Sequence, residues 1–106
     1  MAKKSKKRRK TLKKKSSSKK LTSAKPENYF ILVSGAPLKN LKELVNALGT
    51  MNDWVFRHHV NESRNDFANW IKDVLKENEL AEEIQNVRSI QDMEYKMLKY
   101  MVNKYT

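Results

Sequence analysis

Apolar residues recur along most of this chain at spacings of three and four, the repeat that lines one face of a helix. Leu38, Leu41, Leu44, Val45 and Leu48 set the first such face, with Asn40 and Glu43 spaced as a capping box and Gly49 as a stop. A short second helix is predicted over residues 51–60, opened by Thr50 and Asp53 and carrying Trp54, Phe56, His58 and His59. The clearest amphipathic helix comes third. There Phe67, Trp70, Ile71, Val74 and Leu75 fall at i, i+3, i+4, i+7 and i+8, and Ser63 with Asp66, or Asn65 itself, caps the start. A fourth helix is predicted over residues 78–88, with Leu80, Ala81, Ile84 and Val87 inward and Glu79, Glu82 and Glu83 near the positive end of its dipole. Ser89 and Asp92 open a fifth, whose apolar face is Ile90, Met93, Met97, Leu98, Met101, Val102 and Tyr105, with Lys96, Lys99 and Lys104 toward its end.

Ahead of these helices, Tyr29, Phe30, Ile31, Leu32 and Val33 form a continuous apolar run closed by Gly35 and Pro37. No second strand-like segment follows, so a sheet would need a partner chain, and an extended or short helical segment laid on the helices is expected instead. The fold class is all-α: a compact bundle of about five short helices with a short extended segment near 29–33 and brief turns between helices. No internal repeat is evident.

Charge divides the chain where the apolar pattern begins. Of 106 residues, 33% are charged, and the formal net charge is +11. Residues 1–25 hold eleven Lys and two Arg with no acid, whereas residues 26–106 hold the other 10 basic and all 12 acidic residues, a body of −2. Such a tail cannot bury enough apolar surface to offset the entropy of ordering it, so residues 1–25 are expected to be disordered and residues 26–106 to form the helical domain. Cysteine is absent, which removes disulfides, thiolate nucleophiles and Cys-ligated metals. No run of 18 apolar residues occurs and no apolar segment follows the basic start, so a cytoplasmic protein without a membrane partner is expected.

The tail carries the strongest chemical signal. Lys3, Lys4, Lys6, Lys7, Arg8, Arg9 and Lys10, then Lys13, Lys14 and Lys15, then Lys19 and Lys20, are flexible cations suited to neutralising phosphates and releasing their counterions. A solubilising tail, a targeting address and a contact with acidic lipid or protein are the competing readings. All nine aromatic residues lie from Tyr29 onward, so the tail has no stacking platform for single-stranded bases and backbone binding is the natural mode.

His58 and His59 invite a metal reading, but neighbouring helical residues point about 100° apart and cannot form an i, i+4 ligand pair. One histidine is expected to pack inward and the other to be solvated. His59, Asn65, Asp66 and Trp70 read as a structural latch between the second and third helices, with a small-ligand site there as the sharper alternative. Trp54 and Trp70 are both expected in the core. With two glycines and no nucleophile motif, neither catalysis nor a cofactor or metal is expected.

Several segments together resemble a known family. These are Phe30 with Gly35-Ala36-Pro37-Leu38 and Leu41-Lys42-Glu43-Leu44, then Met51, Phe56-Arg57-His58-His59-Val60-Asn61, Asn65-Asp66-Phe67-Ala68-Asn69-Trp70-Ile71 and Glu79-Leu80-Ala81. From Asn28 to about Gln85 the chain resembles an uncharacterised helical domain of small archaeal proteins that is also appended to some glycosyltransferases. The resemblance implies an archaeal, cytoplasmic accessory domain and names no reaction. The lysine tail departs from its usual pattern.

A non-enzymatic nucleic-acid-associated protein is therefore expected, its tail on ribosomal RNA in preference to chromosomal DNA, located on the ribosome or nucleoid, and its body against protein or folded RNA. A protein-interaction module tethered by the tail is the alternative, with Met93, Met97 and Met101 as an adaptable docking face.

Overall fold

In the computed structural model, which describes residues 21–105, an N-terminal clasp is followed by five α-helices. The clasp begins inside the predicted tail. Leu21 and Ala24 pack against the core, the Ala24 amide donates to Lys39 O at 2.7 Å and Asn40 Nδ2 donates to Ser23 Oγ at 3.3 Å. Residues 21–25 thus belong with the body, because even this polar stretch offers one leucine and backbone groups that the start of the first helix can use.

Pro26–Asn28 forms a 3₁₀ turn, with proline at a position that has no helical hydrogen bond to donate. Strand β1 (Phe30–Ile31) then pairs antiparallel with β2 (Pro37–Leu38), Phe30 opposite Leu38 and Ile31 opposite Pro37. This corrects the expectation that pairing would need another chain. The partner strand is two residues at the exit of the turn, too short to show a period in sequence. Gly35, at φ +101°, supplies the left-handed step, and Leu32 N–H closes the turn on Ala36 O at 2.9 Å. Leu32 and Leu38 face inward while Ile31 is exposed.

Helix α1 (Leu41–Thr50) starts where Asn40 Oδ1 accepts the Glu43 amide at 3.0 Å, and it buries Leu41, Leu44, Val45 and Leu48. Glu43 accepts from Lys39 N–H rather than Asn40 N–H, so the reciprocal bond is offset by one residue. Gly49 does not stop the helix. It lies within the last turn, where an added Cβ would meet Glu94 at an ordinary 3.5 Å.

Asn52, not Thr50, caps α2 (Asp53–His59), which turns Val55, Phe56 and His59 inward. At about 100° per residue that choice puts Trp54 on the outer side, 60% exposed, against the expectation that it lies in the core. Helix α3 (Asp66–Asp73) buries Phe67, Ala68, Trp70 and Ile71, and in the turn that follows it Lys76 takes a left-handed φ of 61°. Helix α4 (Asn78–Ile84) is shorter than predicted: its final carbonyl, at Ile84, and that of Gln85 just beyond it accept from Asn65, the residue that caps α3.

Ser89 caps α5 (Ile90–Tyr105), which packs on both α1 and α4, while α3 packs on α4. Its buried face is Met93, Met97 and Tyr100, with Ile90, Met101 and Tyr105 at the margins. Leu98 and Val102, predicted on that face, are exposed. Met93 and Met97 are fully buried, which removes the methionine docking face. The expected seven-residue stripe was wider than the strip that two neighbouring helices can cover.

Candidate functional site

The described candidate residues meet where the clasp crosses α2 and α3. His59 closes α2 and is buried, whereas His58 beside it is exposed. His59 Nε2 accepts the Val33 amide at 3.0 Å, so the ring proton resides on Nδ1 and is donated to Asp66 Oδ2, also at 3.0 Å. Three aromatic rings surround the imidazole: Phe30 at 4.9 Å, Phe67 at 5.3 Å and His58 at 4.8 Å between centroids. Both ring nitrogens are committed to neighbours, so neither is offered as a base or a metal ligand.

Asp66 is held in turn by Arg64, whose Nε lies 3.3 Å from the same carboxylate oxygen and whose Nη2 donates to His58 O at 2.7 Å. Trp70 projects from the next turn of α3 and donates through Nε1 to Asn28 O at 2.9 Å. The Phe30 ring lies 5.7 Å from Trp70 and 5.0 Å from Phe67, filling the ground between His59 and Trp70 with aromatic contact. Asn65 is buried and uses both ends of its amide. Oδ1 caps α3 by accepting Ala68 N–H at 3.0 Å, and Nδ2 donates to Ile84 O at 2.9 Å and Gln85 O at 3.2 Å. His59, Asn65, Asp66 and Trp70 therefore fasten clasp, α2, α3 and α4 at one junction.

A second polar cluster has no counterpart among the sequence expectations. Glu77 is 4% exposed, and its Oε1 accepts from Tyr100 OH at 2.6 Å and from Lys104 Nζ at 2.5 Å. Tyr105 OH donates to the other oxygen, and the Lys104 ammonium lies 5.5 Å from the centroids of both tyrosine rings. Burial works against the Glu77 charge, but the three hydrogen bonds and the Lys104 charge outweigh it and hold the carboxyl below its ordinary value. The Glu77 hydrogen bond keeps Lys104 protonated well above the usual lysine range. Burial and donation to Glu77 push Tyr105 up to about 12 and raise Tyr100 as well. The cluster locks the chain between α3 and α4 onto the end of α5.

Beside it an open groove of about 610 Å³ runs between α4 and α5, lined on one wall by Glu79 and Glu83 and on the other by Tyr95, Lys96 and Lys99. Among the described residues no three His, Cys, Asp or Glu side chains gather to hold a metal ion, and no helix is long and apolar enough to cross a membrane.

The tail candidates Lys3, Lys4, Lys6, Lys7, Arg8, Arg9, Lys10, Lys13, Lys14, Lys15, Lys19 and Lys20 lie outside the described residues. Their attachment point is defined. The chain joins the body beside the start of α1, where Lys25, Lys39 and Lys42 are all exposed.

Fold and junction together define a small all-α domain whose extended N-terminal segment is stapled across its helices. Residues 23–105 match a family of unknown function, DUF5752, and the chain belongs to that family. The match takes in the clasp root and all of α5, beyond the stretch from Asn28 to Gln85 in which the resemblance was visible. Neither the curated proteins nor the solved structures give a match.

Proposed function

We propose that this protein is a non-enzymatic nucleic-acid-associated protein whose basic N-terminal segment binds the phosphate backbone, with ribosomal RNA favoured over chromosomal DNA. The observation that carries the reading is the separation of charge: thirteen cations and no acid in residues 1–25, against a body of −2. Exposed Lys25, Lys39 and Lys42 extend the cationic surface from the segment's root onto the body. The polar junction supports the non-enzymatic part of the proposal, since its histidine, carboxylate and amides are engaged with one another and with backbone groups. An archaeal origin, a kinship with domains appended to glycosyltransferases and a cytoplasmic place belong to the same proposal and rest on the sequence resemblance, whereas the place on the ribosome or nucleoid rests on the basic segment.

Fluorescence anisotropy with a labelled ribosomal RNA fragment and a DNA duplex of equal length tests it. If about six to ten phosphates are neutralised, affinity falls about three to five decades between 50 and 200 mM salt. Replacing the basic residues of Lys3–Lys15 by glutamine should abolish both the binding and its salt slope. Binding unchanged by that replacement would overturn the proposal, and equal affinity for duplex DNA would remove its preference for RNA. Co-sedimentation with ribosomal subunits, lost after ribonuclease treatment, is the outcome expected of the endogenous protein.

A further inference from the structure

Helix α5 has two apolar faces, and the bundle covers one of them. Met93, Met97 and Tyr100 point into the core, while Tyr95, Leu98 and Val102 lie on the opposite side, 64%, 44% and 57% exposed. Their i, i+3, i+7 spacing stacks them as one ridge. Scattered exposed apolar residues are ordinary on a protein surface, but three aligned on one helix present a contact strip.

The ridge borders the groove between α4 and α5, and the charges there are arranged by wall. Glu79 and Glu83 stand on α4, Lys96 and Lys99 on α5. None of these four side chains enters any of the ion pairs found among the described residues. A surface with an acidic wall, a basic wall and an apolar ridge alongside is complementary to itself after a two-fold rotation, which sets the acids of one copy against the lysines of the other.

We propose that this face of α5 is a two-fold interface between two copies of the chain. A two-fold axis beside Leu98 runs the two α5 helices antiparallel. Leu98 then meets its counterpart, and because Tyr95 and Val102 lie almost equally far along the helix on either side of it, the large Tyr95 ring of each copy falls against the smaller Val102 of the other. Lys96 and Lys99 reach toward the second copy's Glu79 and Glu83. Such pairing would present two basic N-terminal segments to one target, although the interface argument stands without any assignment of what those segments bind.

Sedimentation velocity on the full chain tests the proposal at about 150 mM salt, where the screening length is about 8 Å and repulsion between the basic segments is damped. The expected result is a concentration-dependent shift from 12.5 kDa toward twice that mass. Leu98→Asp should weaken association at least about tenfold, equivalent to about 1.4 kcal/mol, with the helical circular dichroism unchanged because Leu98 is on the surface. Lys96→Glu with Lys99→Glu should also weaken it, and adding Glu79→Lys with Glu83→Lys should restore it. A chain that stays monomeric up to several hundred micromolar would overturn the proposal and leave the ridge to another protein or to nucleic acid. A dimer insensitive to Leu98→Asp would overturn it too, by placing the contact elsewhere. Failure of the four-residue reversal to restore association lost on reversing the lysines would refute the proposed charge register.

Discussion

His59 accepts the backbone N–H of Val33 at 3.0 Å across 26 residues of chain, and its remaining ring proton goes to Asp66. That bond pins the turn after β1 to the end of α2 and leaves no lone pair on the imidazole for other work. His59→Phe keeps an aromatic ring among Phe30 and Phe67 but deserts the Val33 amide and the Asp66 carboxylate. A loss of about 1–3 kcal/mol in urea unfolding is expected, with faster hydrogen exchange at Val33. Unfolding and exchange unchanged from the native protein would show that the histidine acts by packing alone.

Asn65 offers a sharper test of chemistry against shape. Aspartate is as good a helix cap as asparagine, so at an ordinary N-terminus Asn→Asp is close to neutral. Here the amide nitrogen also donates to Ile84 O and Gln85 O. Asn65→Asp keeps the cap on Ala68 and faces two carbonyl oxygens with a carboxylate. A cost of about 2 kcal/mol or more is expected in denaturant titrations, with fraying at the end of α4 in exchange measurements.

The two tryptophans differ because helix phase decides burial. Trp54→Ala should change stability by less than about 0.5 kcal/mol, since the side chain is 60% exposed. Trp70→Ala should cost about 3–5 kcal/mol, from the cavity against Phe30 and the lost bond to Asn28 O. Similar losses at both sites in thermal or chemical unfolding would contradict this placement.

What could be read in the chain follows from range. The inward faces of α1, α3 and α4 are visible because a 3.6-residue repeat is local, and so is the Asn40 cap, which needs only the residue three positions on. The second half of Asn65's work is invisible, since Ile84 lies 19 residues away and nothing in the intervening sequence marks it. Glu77 is hidden differently: it stands among Glu79, Glu82 and Glu83, which read as solvated, and its partners Tyr100 and Tyr105 are 23 and 28 residues distant. The one local hint is Tyr100 with Lys104 at i, i+4, two polar tips on one side of α5. The exposure of Trp54 is not legible in the sequence, because aromatic character alone does not give helix phase when Val55, Phe56 and His59 compete for the same interior.

The Glu77 cluster gives the protein a pH dependence at both extremes. Tyr105 is held protonated up to about 12 against an ordinary 10.0, so its contribution is complete below about pH 10 and disappears as the pH climbs through 12. Lys104, raised from 10.5, adds a loss of the same sign at alkaline pH. Glu77 works in the opposite direction: its contribution is present above 4.5 and is lost as the pH falls below that value. The contribution of this cluster to the unfolding free energy should therefore be constant from about pH 5 to 9 and decline on either side. Tyr105→Phe should make the alkaline limb shallower, leaving the share of Lys104, and should leave the acid limb in place, which denaturant titrations at about pH 3, 7 and 11 would read directly.

The boundary of the folded domain can be located by where shortening begins to hurt. Leu21 is half-buried against the core, Ala24 N–H bonds Lys39 O and Ser23 receives Asn40 Nδ2, so residues 21–25 hold the start of α1 in place. A chain beginning at Pro26 loses all three contacts and also frees Asn40, the residue that caps α1. Compared with a chain beginning at Leu21, it should be less stable by about 1–3 kcal/mol. Equal stability of the two in urea would place the boundary at Pro26, where the change in composition puts it. The difference matters for any binding comparison, because removing residues 1–25 would mix a loss of cations with a loss of structure, whereas starting at Leu21 changes the charge and keeps the clasp.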